Sequence, residues 1–177
     1  MQGPNPHRLN RFERQLLKEL KANETPIPIE GSSVTLQRTP YGFVLEYGFS
    51  YEPCCLPPGI EFGEEKRCFD NAYRAMLHSE LVYCEGFALG QSGLPVEHAW
   101  LTDGTGRAID VTWRERGRAY FGVPLQKLYL LETSIRKLPD KGFIEDWKNK
   151  YPLLMDLGDR PEEWLESNGC GVRKLQR

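Results

Sequence analysis

A cysteine, a histidine and an aspartate follow one another along this chain at positions predicted to be helix, strand and strand. Cys68 lies near the start of a predicted helix, residues 64–79, whereas His98 and Asp110 lie on two successive predicted strands. A nucleophilic thiol needs a base that takes its proton and a carboxylate that orients the base. The residue types and their order therefore predict a Cys-His-Asp nucleophilic site.

Cys68 differs from the other four cysteines in its surroundings. The nucleophile is the thiolate, and free N–H groups at a helix start and a nearby imidazolium both stabilise it. Lys66 and Arg67 add positive charge immediately before Cys68. The number of cysteines is odd and no CxxC spacing occurs, which favours a reduced protein with apolar packing roles for the other four.

His98 is the base that the sequence favours among three histidines. His7 lies in the N-terminal segment, and His78 follows Cys68 by about ten residues of helix, which corresponds to about 15 Å. A five-residue loop, 102–106, is predicted to place His98 directly opposite Asp110 in a hairpin. Opposed side chains have Cβ atoms about 4.5–5.5 Å apart, so the carboxylate is expected to reach a ring nitrogen.

The elements that must hold these residues form an α+β pattern. An amphipathic helix is predicted at 8–22, and a hairpin of strands is predicted at 34–38 and 43–47. Residues 52–63 are rich in Pro and Gly and predict an ordered loop before the cysteine helix. The remaining predictions are strands at 81–88, 96–102 and 107–113, helices at 124–137 and 142–150, and a short helix beginning at Pro161.

Composition limits the classes of protein to which the chain can belong. At 177 residues, 40% hydrophobic and 27% charged, it predicts a single globular domain, 1–177. The net charge of −2 gives no electrostatic footprint for nucleic acid. No apolar run approaches the roughly 20 residues that span a bilayer, and no secretory signal is recognisable at the N-terminus, so a cytoplasmic protein without membrane partners is expected.

Four short segments also carry a family resemblance. They are CFDNA (Cys68–Ala72), YCEGFA (Tyr83–Ala88), HAW (His98–Trp100) and DVTW (Asp110–Trp113). Their content and order resemble the transglutaminase-like branch of the papain-like cysteine protease superfamily, and YFGVP (Tyr120–Pro124) is similar to a segment of its small bacterial and phage members.

The resemblance implies a papain-like (transglutaminase-like) core in which the nucleophile-bearing helix packs on an antiparallel β-sheet. The N-terminal helix 8–22 would precede a catalytic core, 60–125, and a helical C-terminal third, 126–177, would follow it. It also implies that Cys68, His98 and Asp110 act as nucleophile, base and orienting carboxylate. No Gln precedes Cys68 at the spacing of the papain-type oxyanion donor, so the backbone N–H of Cys68 is expected to serve with a second donor, whose identity stays open.

The expected function is acyl chemistry on an amide or ester of a protein or peptide through a thioester, without a cofactor. Whether the thioester is hydrolysed or transferred to an amine stays open, as does the oligomeric state. Tyr83, Tyr120 and Asn71 are the candidate substrate-binding residues, because tyrosines can line a wet cleft and Asn71 lies one helical turn from Cys68.

Two alternatives stay open. One is a papain-like module that binds another protein without catalysis. The weaker one is a zinc site formed by Cys68, Cys84 and His98, for which the spacing gives little support.

Overall fold

The computed structural model describes residues 9–28, 35–36, 38–136, 142–146, 150–157 and 160–166. His7, Cys170 and the last part of the predicted C-terminal extension, 167–177, lie outside the described residues. Residues 147–149 of the helix predicted at 142–150 also lie outside them.

Helices and strands are both present in the described residues, and four strands follow the third helix in succession. The helices are α1 (Arg11–Ala22), α2 (Pro40–Tyr47), α3 (Cys68–Leu77), α4 (Lys127–Arg136) and α5 (Pro161–Trp164), with a π-helical turn at Leu153–Leu157. The strands are β1 (Ile27–Pro28), β2 (Thr35–Leu36), β3 (Phe49–Cys54), β4 (Val82–Leu89), β5 (Pro95–Thr102), β6 (Arg107–Ile109) and β7 (Ala119–Leu125). The α+β mixture agrees with the sequence pattern.

The main sheet is a closed barrel with the strand order β3-β6-β5-β4-β7. Strand β3 closes it, because its second half pairs in parallel with β6 and its first half pairs antiparallel with β7. The expected papain-like core, a nucleophile helix on an antiparallel sheet, is therefore wrong. The prediction treated 52–63 as loop and assigned no strand to residues 119–125, so it lacked both strands that close the barrel.

Side chains alternate between the barrel interior and the helix-covered outer face. The interior cluster contains Tyr51, Cys84, Ala88, Trp100, Ala108 and Tyr120. Gly86 and Gly122 are paired across β4 and β7, and a Cβ added to Gly86 would lie 2.5 Å from the Gly122 Cα. The two strands approach this closely only because neither residue has a side chain.

The hairpin predicted for residues 34–47 is also wrong. Thr39 caps α2 through its side-chain oxygen, which accepts the Gly42 N–H at 3.1 Å, and Pro40 occupies the first turn. A capping Thr followed by Pro is a helix start, and here it overrides the strand preference of the residues that follow.

Helix α1 begins at Arg11 rather than at residue 8, because Asn10 forms a capping box with Glu13. Residues 142–146 form bends and a bridge, so the helix predicted at 142–150 is wrong over that part. The predicted helix 124–137 is shortened to α4, since Pro124 and Leu125 belong to β7.

Candidate functional site

Helix α3 begins at the candidate nucleophile. Cys68 is its first residue and is half-buried, and the preceding Arg67 makes no side-chain hydrogen bond that caps the helix. Lys66 has a φ of 63°, a left-handed conformation that is uncommon for a residue with a side chain. Such backbone strain is concentrated at functional sites, and here it turns the chain sharply into the helix two residues before the thiol.

Asn71 anchors the loop that leads to Cys68. Its Nδ2 donates to the Glu64 carbonyl at 2.7 Å and to Thr112 Oγ1 at 2.9 Å, and its Oδ1 accepts the Glu64 N–H at 3.2 Å. The Gly63 N–H also donates to the Val111 carbonyl at 2.8 Å. The amide of Asn71 thus ties the cysteine loop to the segment after Asp110, and its contact with a substrate stays a prediction.

His98 and Asp110 meet where β5 and β6 separate. The β5–β6 register contains the pair Leu101–Ile109, after which Asp110 leaves the strand. This register puts Asp110 opposite Trp100, so His98 is its diagonal neighbour on the same face rather than directly opposite. His98 Nε2 still lies 2.8 Å from Asp110 Oδ2, as the strand alternation predicts, and both side chains are buried.

The carboxylate of Asp110 accepts four hydrogen bonds. Oδ2 faces His98 Nε2 and accepts from the Tyr120 hydroxyl at 2.8 Å, whereas Oδ1 accepts the backbone N–H groups of Thr112 and Trp113 at 2.8 and 2.9 Å. Burial acts to raise the pKa of Asp110, but the bonds and charge of His98 and the two backbone donors outweigh burial and lower it. Asp110 is therefore held as an anion in a fixed orientation.

His98 links this anion to the thiol. With Nε2 engaged by Asp110, Nδ1 is the ring nitrogen left to face Cys68, whose thiol acts on the pKa of His98. Burial lowers the pKa of His98, but its interactions with Asp110 and Cys68 prevail and raise it to about 9. Trp113 stacks on the imidazole with ring centres 4.1 Å apart and covers it.

The two tyrosines predicted to bind substrate are buried instead. Tyr83 donates its hydroxyl proton to Glu85 at 2.9 Å, and Tyr120 donates to Asp110. Neither side chain is exposed at the surface of the part of the chain that the structure describes. The contacts of Tyr120 with Asp110 and of Trp113 with His98 are not predictable from the sequence pattern, in which the one signal is the proximity of Trp113 to Asp110 along the chain.

An open cleft borders the site on the Trp113 side. It has a volume of about 390 Å³, and the residues that line it are Glu65, Lys66, Gly90, Gln91, Ser92, Thr112, Trp113, Arg114 and Glu115. These residues come from the loop before Cys68, the β4–β5 turn and the segment after Asp110. The cleft thus adjoins the segments before Cys68 and after Asp110, and Trp113 connects it to His98, although none of the three triad residues lines it.

Glu85 forms a second buried polar centre on the outer face of β4. Its carboxylate accepts the Tyr83 hydroxyl and the backbone N–H groups of Phe143 and Ile144, at 2.8 and 2.7 Å. Burial raises the pKa of Glu85 to about 7, against the lowering effect of these hydrogen bonds. Glu85 thereby fastens the 142–146 segment to the barrel.

Within the described ranges, no group of three His, Cys, Asp or Glu side chains is placed to hold a metal ion. Cys84, one of the three residues considered for zinc, lies in the barrel interior. None of the described helices is both long enough and apolar enough to cross a membrane. No protein-family model, curated protein or solved structure matches this chain.

Proposed function

We propose that this protein is a cysteine-dependent enzyme that transfers acyl groups from amides or esters, with Cys68, His98 and Asp110 as its triad. The observation that carries the proposal is the position of His98, whose Nε2 pairs with the Asp110 carboxylate at 2.8 Å while the Cys68 thiol acts on its pKa. Nucleophile, base and orienting carboxylate in this order are the arrangement that activates a thiol.

In the proposed reaction, His98 Nδ1 takes the Cys68 proton and the thiolate attacks the carbonyl carbon of the substrate. The carbon–nitrogen or carbon–oxygen bond then breaks, His98 returns the proton to the leaving group, and a thioester remains on Cys68. Water or an amine next attacks the thioester and gives its proton to His98, which returns that proton to the departing thiolate. Asp110 stays ionised throughout and stabilises the imidazolium.

The start of α3 supplies a donor for the negative charge that develops on the substrate oxygen. The Cys68 N–H lies in the first turn of the helix, where N–H groups lack intrahelical partners, and no side chain caps that turn. A backbone N–H in this position stabilises a tetrahedral intermediate. The stacked Trp113 shields the His98–Asp110 pair from water, which strengthens its electrostatic interaction.

The likeness of the site segments to transglutaminase-like proteins supports the same chemistry and a protein or peptide substrate. It concerns the residues around Cys68, His98 and Asp110 rather than the barrel. Hydrolysis and transfer to an amine share the thioester and differ in which molecule attacks it.

Acylation of the full chain tests the proposal. The protein is incubated with p-nitrophenyl acetate and, separately, with a glutamine-containing peptide, and adducts are located by mass spectrometry. We expect a hydroxylamine-sensitive adduct on Cys68 that disappears in Cys68→Ala and persists in the control Cys55→Ala, which removes an exposed thiol. An adduct that survives in Cys68→Ala would contradict the assignment, and a wild-type protein that neither substrate acylates would favour a binding module.

A further inference from the structure

The hydroxyl of Tyr120 has a fixed direction. Tyr120 lies on β7 and is 1% exposed, and its oxygen accepts the Gly117 N–H at 3.0 Å. Its single proton is donated to Asp110 Oδ2 at 2.8 Å. This is the same carboxylate oxygen that His98 Nε2 faces at 2.8 Å. Two donors from different strands therefore share one oxygen of the orienting carboxylate.

We propose that Tyr120 is a positioning residue that acts through Asp110 Oδ2 and limits how strongly this oxygen retains the proton on His98. The proposal rests on the proposed function, since it concerns the same triad. It also changes the role of Tyr120 from the predicted substrate contact to control of the base.

The argument follows from charge sharing on one oxygen. Each hydrogen bond donated to a carboxylate oxygen withdraws part of its negative charge and weakens the bond to any second donor. Removing the Tyr120 hydroxyl therefore leaves more of the negative charge of Asp110 Oδ2 to interact with His98, which favours the protonated imidazolium. The backbone donors of Thr112 and Trp113 still hold Oδ1, so the carboxylate is expected to keep its place.

Few other titratable groups face this pair. Cys68 approaches His98 from α3, and the charge of Cys54 on β3 acts on Tyr120. Strand β4 presents Gly86 opposite His98, and the segment after Asp110 presents the Trp113 ring, neither of which titrates. A change in the His98 titration is thus attributable to the shared oxygen when Cys54 and Cys68 are unchanged.

The barrel provides a matched control for the Tyr120 hydroxyl. Tyr51 on β3 is paired with Tyr120 in the sheet register, is also 1% exposed, and packs its ring against Trp100. Tyr51→Phe removes a buried hydroxyl of the same kind from the neighbouring strand while the Tyr120 bond to Asp110 stays in place.

The test is an NMR titration of the His98 ring nitrogens in the full chain. We expect Tyr120→Phe to raise the His98 pKa by about 0.5 to 1, whereas Tyr51→Phe leaves it at the wild-type value. Replacing Tyr120 by 3-fluorotyrosine keeps the ring and strengthens the donor, so it should lower the His98 pKa. An unchanged or lowered His98 pKa in a folded Tyr120→Phe would overturn the proposal. An unchanged or raised His98 pKa with 3-fluorotyrosine would also overturn it. The 3-fluorotyrosine variant is the deciding test if Tyr120→Phe fails to fold.

This readout is independent of turnover. Opposite pKa shifts in the two Tyr120 variants, together with a wild-type protein that forms no acyl adduct, would support the positioning role and refute the proposed function. An acyl adduct on Cys68 without a change of the His98 pKa in either Tyr120 variant would support the proposed function and refute the positioning role.

Discussion

Replacing Asp110 by asparagine is expected to reverse the tautomer of His98. The backbone N–H groups of Thr112 and Trp113 both need an acceptor, so the asparagine carbonyl takes the place of Oδ1. Its NH₂ group then occupies the place of Oδ2 and faces His98 Nε2. Because two donors cannot bond to each other, Nε2 must become an acceptor and the proton moves to Nδ1, the nitrogen that should receive the thiol proton.

The magnitude follows from the pKa of His98, which its surroundings raise from 6.5 to about 9. A change of one in pKa corresponds to about 1.4 kcal/mol, so the site favours the imidazolium by about 3 kcal/mol, shared between Asp110 and Cys68. Loss of the stabilisation that Asp110 alone provides lowers the population of the Cys68 thiolate–His98 imidazolium pair by about 10- to 100-fold. The wrong tautomer adds to this, and the corresponding change in a serine protease triad lowers kcat by about 10⁴-fold.

The assay is the rate at which iodoacetamide labels Cys68 at pH 7, with the tautomer read from the nitrogen shifts of His98. Asp103→Asn is the matched control, because Asp103 lies on the β5–β6 loop and bonds to Thr105 and Arg107 away from the triad. A folded Asp110→Asn that labels Cys68 within about threefold of the Asp103→Asn rate, with the wild-type tautomer, would refute the reasoning.

Three further changes test the surroundings of the site. The pKa of Glu85 is raised to about 7 in the fold, so its contribution to stability is present below about pH 4.5 and is lost as the pH rises through 7. Denaturant unfolding should therefore give a lower free energy of unfolding at pH 8.5 than at pH 5.5, and Glu85→Gln should make this difference smaller. Gly86→Ala brings a Cβ within 2.5 Å of the Gly122 Cα, and we expect calorimetry to show destabilisation by about 2 kcal/mol or more; an unchanged Tm would contradict the close approach. Trp113→Ala uncovers the His98–Asp110 pair, and iodoacetamide labelling of Cys68 should slow by about tenfold; a wild-type rate would mean that the ring does not shield the pair.

The relative placement of His98 and Asp110 was accessible from the sequence because side chains alternate strictly along strands. Alternation fixes the face of each residue even when the register is displaced, as it is here by the Leu101–Ile109 pair. The diagonal position of Asp110 was not accessible, since it depends on where β6 ends.

Closure of the barrel was not accessible for a different reason. β3 contains Pro53 in a Pro-rich stretch, and β7 contains Gly122 and Pro124, residue types that are rare within strands. Their strand conformation comes from pairing with distant partners, which local propensity does not report. The hydrogen bond of Tyr120 to Asp110 depends on that same pairing, so its role could not be read from the chain.

The route by which the barrel closes bears on when the proposed triad can assemble. During translation Cys68 emerges before His98 and Asp110, and Tyr120 follows about fifty residues after the cysteine. Strand β3 precedes all of them, yet it joins the barrel only through β6 and β7. A ribosome-bound chain that ends before β7 therefore contains the thiol without the closed sheet that aligns its base. The proposed triad is therefore complete only after β7 has been synthesised.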